Sequence, residues 1–381
     1  MRHLLLTVAA LAVPFAAAAQ QLPSFKYPEP PASAYRVLTN VPFRTGDTDP
    51  LHMDVYRSAS GGRAPTLIFF NQASGAQRAN SFYVAWARIA ASKGVTAIVP
   101  DLRPATAVQD FVALIEYLNR GPAEDTGIDP AAVAVYAGSG NVATALPIVQ
   151  DRRSTRITSA VMYYGAAEIA SFRPDLPVLF VRAGLDRPPL NRHIDSLVAK
   201  ALSENAPMTL LNHAGGRHAF EILNDDDATR RVIDETIAFV KETTSAPYQA
   251  ALRAGLAEAT AAGHVTAGRT KEAVAGYAAL VTSRPGDASL RLAYGEALLS
   301  NGDFAEACTE FEGLKGKGLG YRDLGLPAAR ACLQKGDAEA AIAWLKTIPQ
   351  RFLPGSVQND PVFAPLRERP DFRALFGSRV P

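Results

Sequence analysis

Ser139 lies between two glycines, where a short apolar run turns abruptly into a helical pattern. A serine on a sharp turn between a strand and a helix is typical of a nucleophile elbow, in which a strained backbone exposes Oγ for attack. The residue two positions before is Ala137 and the residue two positions after is Asn141, so the strict glycine pattern of such an elbow is not met. The residues therefore predict either a nucleophile or a Gly-Ser-Gly turn without chemistry.

Two later residues have the chemistry to assist this serine. Asp186 follows a strand predicted over residues 177–183, and His218 lies in a glycine-rich turn after the last predicted strand. Ligands bind outside the carboxyl ends of parallel strands, so both side chains are expected at the same edge of the sheet as Ser139. We predict Ser139 as the nucleophile, His218 as its general base and Asp186 as the residue that orients the imidazole.

Each of these residues also has an ordinary interpretation. Asp186 can simply cap a loop, and His218 can be a surface histidine. Asp175 is a weaker candidate than Asp186, because it precedes its strand and so belongs to the opposite edge of the sheet. His213 precedes His218 by five residues and is the alternative general base.

The elements that must position these residues alternate along the chain. A polar turn joins two alternating segments into a hairpin, and continuous apolar runs then alternate with segments of helical spacing, in which Val108 and Val112 belong to the apolar face of a helix. The hairpin covers residues 35–43 and 51–56, and the strands cover 66–70, 95–99, 133–137, 157–164, 177–183 and 208–212. This alternation predicts an α/β fold, with a mostly parallel sheet that is covered by helices on both faces.

Residues 50–243 resemble the α/β hydrolases, nearest to the dienelactone-hydrolase-like and prolyl-oligopeptidase-like esterases. The segments that carry the resemblance are Leu51–Tyr56, Thr66–Phe70, Val99–Arg103, Tyr136–Gly140, Ala183–Asp186 and His218–Phe220. The order Ser, Asp, His along the chain is the order of the triad in this family. The resemblance implies the triad Ser139, Asp186 and His218. Dienelactone hydrolase itself has a cysteine nucleophile, and the serine here favours ordinary ester chemistry.

The oxyanion hole departs from the pattern of the family. A His-Gly-Gly segment is usual after the strand that ends here at Phe70, but this chain has Asn71 and Gln72 at the start of that loop. We expect one backbone donor from Gly140 and the other from Gln72 or Ala73, because such donors stabilise the negative charge of the tetrahedral intermediate. Three interpretations stay open: an esterase, a serine peptidase of the same fold, and a non-catalytic interaction protein. The substrate of either enzyme would be a small ester or a peptide.

A second region, rich in alanine and helical in pattern, follows the sheet. Gly268, Gly302 and Gly336 recur at intervals of 34 residues, with an alanine five residues after each. This period is typical of tetratricopeptide repeats. We predict an all-α domain of three repeats, over residues 254–287, 288–321 and 322–355, with a C-terminal cap. Such repeats indicate a protein or peptide partner, or docking against the first domain; an unrelated helical bundle is the alternative.

The start of the chain has the layout of a secretory signal peptide. A short positive start, Arg2 and His3, precedes the apolar stretch Leu4–Ala19 and its alanine-rich end. We therefore expect a signal peptide over 1–19, a hydrolase domain over 20–243 and a repeat domain over 244–381, in a periplasmic or secreted protein. A retained N-terminal anchor is the alternative interpretation.

Composition argues against several other classes of protein. The net charge is +2 without a long block of one sign, so nothing indicates nucleic acid or an anionic membrane surface. The sequence shows no metal-ligand spacing and no phosphate-binding glycine loop, and we expect neither a metal nor a cofactor. No later segment is apolar enough for a membrane span. The cysteines, Cys308 and Cys332, fall on adjacent predicted helices and either form a disulfide or stay buried thiols.

Overall fold

The computed structural model describes residues 24–44, 50–72, 77–353 and 355–377. The predicted signal peptide lies outside these residues. The chain divides into two compact units, one that ends at Tyr248 and one that begins at Gln249. The composition of the sequence predicts this division after Thr243.

Within the described residues, eight strands of the first unit form one sheet in the order β1-β2-β4-β3-β5-β6-β7-β8. The strands are β1 (Tyr35–Arg44), β2 (Leu51–Ser58), β3 (Ala64–Phe70), β4 (Thr96–Pro100), β5 (Ile128–Gly138), β6 (Ile157–Tyr163), β7 (Val178–Ala183) and β8 (Met208–His213). Strand β2 pairs antiparallel with β1 and β4, and every other pairing is parallel. The predicted hairpin and the mostly parallel sheet are therefore confirmed.

Helices cover both faces of this sheet. They are α1 (Ser81–Ser92), α2 (Ala107–Asn119), α3 (Val142–Gln150), α4 (Pro188–Ser203), the short α5 (Phe220–Leu223) and α6 (Asp227–Thr243). Helices α1 and α6 bury residues such as Trp86 and Ile237 in the core on one face. Helices α2, α3 and α4 bury residues such as Phe111, Leu146 and Ile194 in the core on the other face. This is the architecture of the α/β-hydrolase fold.

The central strands are apolar along most of their length because both of their faces are covered. Residues Leu67 to Phe70 of β3 and residues Val133 to Ala137 of β5 have no exposed surface. Parallel pairing of β5 with β3 and β6 brings the carboxyl ends of these strands to one edge. The loops that leave this edge carry the candidate site.

Helix α2 is rotated relative to its predicted face. The apolar spacing predicts Val108 and Val112 on the buried side, but they are 41% and 47% exposed. Asp110 is buried instead and accepts hydrogen bonds from the guanidinium groups of Arg44 and Arg103. Although burial opposes its ionisation, the hydrogen bonds from Arg103 hold the pKa of Asp110 below its usual value. The guanidinium groups of Arg44 and Arg103 thus compensate a buried carboxylate that apolar spacing alone does not predict.

The chain from residue 246 onward is helical. Its helices are α7 (Ala246–Thr266), α8 (Thr270–Ser283), α9 (Ala288–Asn301), α10 (Phe304–Glu312), α11 (Tyr321–Gln334), α12 (Ala338–Thr347) and α13 (Pro370–Ala374). Each predicted repeat overlaps one pair of the helices α7 to α12, although α7 begins eight residues before the first repeat. Consecutive helices from α8 to α12 contact one another. A disulfide joins Cys308 of α10 to Cys332 of α11. The assignment of these pairs as tetratricopeptide repeats stays a prediction.

None of the helices in the described part of the chain is both long and apolar enough to cross a membrane.

Candidate active site

Ser139 lies on a strained turn at the end of β5. Its φ angle is 55°, in the left-handed region that residues other than glycine rarely adopt, and a single 3-10 turn, Ser139–Asn141, leads into α3. Such strain is typical of functional sites, where the surrounding structure enforces it. Gly165 allows this turn to approach the chain after β6, because a Cβ at Gly165 would lie 2.4 Å from the Ser139 carbonyl oxygen. The turn has the geometry of a nucleophile elbow.

The Asn141 side chain is accommodated away from the turn. It is buried, and its amide donates a hydrogen bond to the Tyr83 hydroxyl of α1 at 3.0 Å. The side chain is thus held by a hydrogen bond rather than pressed against the adjoining strand and helix. The departure from glycine at this position is compatible with the elbow.

The loops that carry Asp186 and His218 are tied together by backbone hydrogen bonds. The N–H of Gly184 donates to the His213 carbonyl, and the N–H of Leu185 donates to the Gly216 carbonyl, each at 2.8 Å. A Cβ at Gly184 would lie 2.3 Å from the Ala214 carbonyl oxygen, so only glycine permits this approach. The pairing extends the parallel β7–β8 ladder and sets the distance between the two loops.

The three predicted residues form a continuous hydrogen-bonded chain. Ser139 Oγ lies 2.8 Å from His218 Nε2, and His218 Nδ1 lies 2.5 Å from Asp186 Oδ2. The other carboxylate oxygen, Oδ1, accepts the Arg187 backbone N–H at 2.7 Å. With Nδ1–H donated to the carboxylate, Nε2 presents its lone pair to the serine hydroxyl. The Asp186 side chain is 2% exposed and the His218 side chain 33%, so the carboxylate is shielded while the imidazole stays accessible.

The alternative candidates for the general base and for the orienting carboxylate have other partners. His213 is buried, and its Nε2 lies 3.0 Å from Thr229 Oγ1 of α6. Asp175 precedes β7 and forms an ion pair with Arg173 at 2.8 Å. Neither of them belongs to the chain of hydrogen bonds that contains Ser139.

The second oxyanion donor is predicted in the loop after β3, of which the structure describes Asn71 and Gln72. The Gln72 side chain donates to Thr144 Oγ1 of α3 at 2.6 Å, which ties the start of this loop to the helix that follows the nucleophile. The Asn71 amide is buried and donates to the Pro100 carbonyl at the end of β4. Gly140 follows Ser139 directly and is exposed. Ala73 lies outside the described residues.

A buried carboxyl group behind the histidine was missed by sequence reasoning. Glu221 of α5 is 0% exposed, and the Tyr136 hydroxyl donates to its Oε1 at 3.2 Å. The Tyr164 hydroxyl lies 3.1 and 2.9 Å from its two carboxylate oxygens. Burial raises the pKa of Glu221 to about 7, although the phenol hydrogen bonds favour the ionised form. Its position three residues after His218 was the only available signal, and it does not by itself indicate burial.

This carboxyl group should make stability depend on pH. The folded-state pKa of about 7 lies above the usual 4.5, so the stabilisation is complete below pH 4.5 and is lost as the pH rises through 7. We expect the free energy of unfolding to fall by about 3 kcal/mol over that window. The fall should be absent in Glu221→Gln and present in Glu242→Gln, an exposed control.

Urea unfolding of the first unit at pH 5 and pH 8 measures this effect. The two tryptophans are Trp86 in the first unit and Trp344 in the second, so a Trp344→Phe background lets Trp86 fluorescence report on the first unit alone. Equal pH dependence in Glu221→Gln and in the parent protein would contradict the assignment.

Among the described residues, no group of three or more histidine, cysteine, aspartate and glutamate side chains is arranged to hold a metal ion.

Solved structures that resemble this fold include several esterases, which align with about half of the chain. Esterase Est22 with p-nitrophenol is 14% identical with a TM-score of 0.46, over 55% of this chain and 81% of its own. A bacterial heroin esterase is 17% identical with a TM-score of 0.43, over 56% and 84%. Brefeldin A esterase, a bacterial homologue of human hormone-sensitive lipase, is 14% identical with a TM-score of 0.47, over 55% and 78%.

No protein-family model matches the sequence, and no curated protein matches it either. Identities and TM-scores as low as those of the solved esterases do not assign an activity to this chain.

Proposed function

We propose that the first unit is a serine hydrolase that cleaves carboxylic esters through an acyl-enzyme. The observation that carries this proposal is the hydrogen-bonded chain Ser139–His218–Asp186, which begins at a serine with a left-handed backbone. A nucleophile bonded to a base that is itself oriented by a third group is the general signature of an activated serine.

The reaction would proceed in two halves. Ser139 Oγ attacks the acyl carbon while its proton passes to His218 Nε2, and a tetrahedral intermediate forms. His218 then gives this proton to the leaving alkoxide, the carbon–oxygen bond breaks, and an acyl-enzyme and an alcohol result. Water repeats the sequence, with His218 as base and Ser139 as leaving group, and releases the acid. Asp186 stabilises the imidazolium in both halves.

The oxyanion of each intermediate needs two donors. The backbone N–H of Gly140 is adjacent to the nucleophile, and the second N–H belongs to Gln72 or Ala73 in this proposal. The hydrogen bond from the Gln72 side chain to Thr144 supports it, because it fixes the start of that loop against α3. Loss of one such donor typically lowers the rate by about 10²–10³-fold.

The surroundings of the site favour a small substrate. Residues 164–177, which connect β6 to β7 and are all described, contain no helix that could cover the site. The imidazole of His218 is partly exposed. A soluble ester with short acyl and alcohol groups fits such an open site.

Fluorophosphonate labelling tests the proposal without knowledge of the substrate. We expect stoichiometric labelling of the purified protein at Ser139, mapped by peptide mass spectrometry, and hydrolysis of p-nitrophenyl acetate. Labelling should vanish in Ser139→Ala and persist in Ser196→Ala, a control at an exposed serine of α4. A folded protein that is not labelled would refute the proposal. Faster cleavage of peptides than of esters would show that the protein is a serine peptidase instead.

We also propose that the protein is exported and that its helical unit binds a protein or peptide partner. The disulfide between Cys308 and Cys332 supports a periplasmic or secreted location, because disulfides persist mainly in oxidising compartments. The stacked helix pairs support a role in binding a protein or peptide partner, since repeat arrays of this kind present an extended surface. Detection of the mature chain, without residues 1–19, in a periplasmic extract would test export.

A further inference from the structure

The imidazole of His218 lies against an aromatic ring. The Tyr164 ring centroid is 4.7 Å from that of His218, and the two planes are inclined by 55°. Tyr164 directly follows β6 and has a φ of 33°, so its backbone is held in an unfavourable conformation. Strain of this kind persists only where neighbouring contacts enforce it. The ring is thus fixed in place beside the imidazole.

The hydroxyl end of the same ring is anchored by the buried carboxyl group of Glu221. The Tyr164 hydroxyl lies within 3.1 Å of both carboxylate oxygens, and within the described residues no lysine or arginine forms an ion pair with Glu221. The phenols of Tyr136 and Tyr164 hydrogen-bond its carboxylate, and the Trp86 indole also favours its ionised form. Besides burial, the charge of Glu221 in turn raises the pKa of the Tyr83 and Tyr163 phenols on α1 and β6. A hydrogen bond to a carboxylate is about twice as strong as one between neutral groups.

Glu221 also belongs to the loop that carries His218. Ala219 has a φ of 59°, and it turns the chain into α5, where Phe220 and Glu221 are both 0% exposed. The Phe220 ring packs against the Tyr164 ring with centroids 5.7 Å apart. The loop is therefore fixed in the core immediately after the histidine, and Tyr164 links that fixed point to the imidazole face.

We propose that Glu221 and Tyr164 are positioning residues that hold the His218 imidazole in line with Ser139, and that Glu221 does so in its carboxylate form. As a carboxylate, Glu221 accepts from both phenols and holds Tyr164 with a charge-assisted bond. As a neutral carboxyl, it must donate its own proton to one phenol, so that hydrogen bond reverses and its charge assistance is lost. This inference rests on the proposed function, because it assigns a role in the same reaction.

The test compares three buried substitutions in the full chain. Tyr164→Phe keeps the ring and removes its anchor, and Glu221→Gln keeps the shape and removes the charge. Tyr163→Phe is the matched control, because its hydroxyl is equally buried but bonds Thr236 Oγ1 instead, at 2.6 Å. With p-nitrophenyl acetate as substrate, we expect Tyr164→Phe and Glu221→Gln to lower kcat about tenfold with KM unchanged, since a misplacement of 1 Å can cost about 10²-fold. Tyr163→Phe should stay within about twofold of the wild-type kcat.

The pH profile separates positioning from a structural defect. The carboxylate is the dominant form above its pKa of about 7, so the kcat ratio of wild type to Glu221→Gln should be about tenfold at pH 8.5. The ratio should shrink towards one at pH 6, where the wild-type group is neutral like the amide. A constant ratio across this range would overturn the carboxylate role. Equal kcat losses in Tyr164→Phe and Tyr163→Phe would overturn the positioning role.

The controls distinguish this inference from the proposed function itself. A wild-type protein that neither reacts with fluorophosphonate nor hydrolyses the ester refutes both. An active wild type with unchanged Tyr164→Phe and Glu221→Gln variants refutes the positioning role alone. Circular dichroism melting verifies that each variant folds, and if Glu221→Gln does not fold, the kcat and KM of Tyr164→Phe against Tyr163→Phe decide the question.

Discussion

Asp186→Asn is expected to lower kcat for ester hydrolysis by about 10⁴-fold with little change in KM, as loss of the triad carboxylate does in serine hydrolases. The reason is that the two oxygens of the Asp186 carboxylate each accept a hydrogen bond. One carboxylate oxygen accepts from His218 Nδ1 at 2.5 Å, and the other accepts the Arg187 backbone N–H at 2.7 Å. An asparagine has only one oxygen for these two donors. If that oxygen faces Arg187, its NH₂ group donates to Nδ1, the ring proton moves to Nε2, and the imidazole can no longer accept the proton of Ser139.

Steady-state hydrolysis of p-nitrophenyl acetate measures this effect, and the rate of fluorophosphonate labelling should fall with it. Asp175→Asn is the matched control, because Asp175 precedes β7 and pairs with Arg173 at the opposite end of that strand. We expect this control to keep kcat within about twofold of the wild type. Wild-type kcat in Asp186→Asn would remove Asp186 from the reaction and with it the proposed triad.

The candidate residues could be placed at one edge of the sheet from sequence because each lies in the segment after a recognisable strand. Ser139 ends an apolar run, and Asp186 and His218 lie in the loops after β7 and β8. Parallel topology then brings those loops to one edge of the sheet. This inference needs the order and direction of the strands and no knowledge of side-chain packing.

Interactions between distant segments could not be predicted in the same way. The Asn141 side chain is satisfied by Tyr83, and the Gln72 side chain by Thr144. Neither pairing has a periodicity or a spacing that reveals it. Asn141 and Gln72 both replace glycines that are usual in α/β hydrolases, so the sequence alone leaves the activity open. In the structure, each of these side chains has a specific hydrogen-bond partner.

Buried polar groups account for the other differences between the predicted and the observed structure. Apolar spacing assigns Val112 to the core and gives no reason to bury Asp110, because it does not reveal that Arg44 of β1 and Arg103 before α2 compensate the carboxylate. Glu221 is a similar case, since the phenols that bond it belong to β5 and to the chain after β6. A charge is buried only where such partners are supplied, and three-dimensional proximity decides which partners these are.

The cysteine pair was left open by the sequence and is joined in the structure. Adjacent predicted helices placed Cys308 and Cys332 near each other, but a spacing of 24 residues is also compatible with two separate thiols. The structure places their Cα atoms 4.9 Å apart, within the range that a disulfide spans. The consequence for the second unit can be measured directly.

Removal of this disulfide is expected to destabilise the second unit by about 3.5 kcal/mol. The disulfide closes a loop of 24 residues and therefore restricts the unfolded chain. Both cysteines are buried, at 2% and 0% exposure, and the double variant Cys308→Ala/Cys332→Ala removes only their two sulfur atoms from the core. Hydrogen exchange followed by mass spectrometry should show faster exchange in α10, α11 and their neighbours. Exchange in β5 and β6 should not change, because both cysteines of the chain lie in the second unit.

Reduction of the wild-type protein provides the matched control. Dithiothreitol should bring exchange in α10 and α11 of the wild type to the level of the double variant, and it should leave the double variant unchanged. A loss of about 3.5 kcal/mol is a large share of the 5–15 kcal/mol that stabilises a typical domain, so the reduced helical unit should unfold at a clearly lower urea concentration than the oxidised one. Equal protection in oxidised and reduced protein would show that helix packing alone holds α10 against α11.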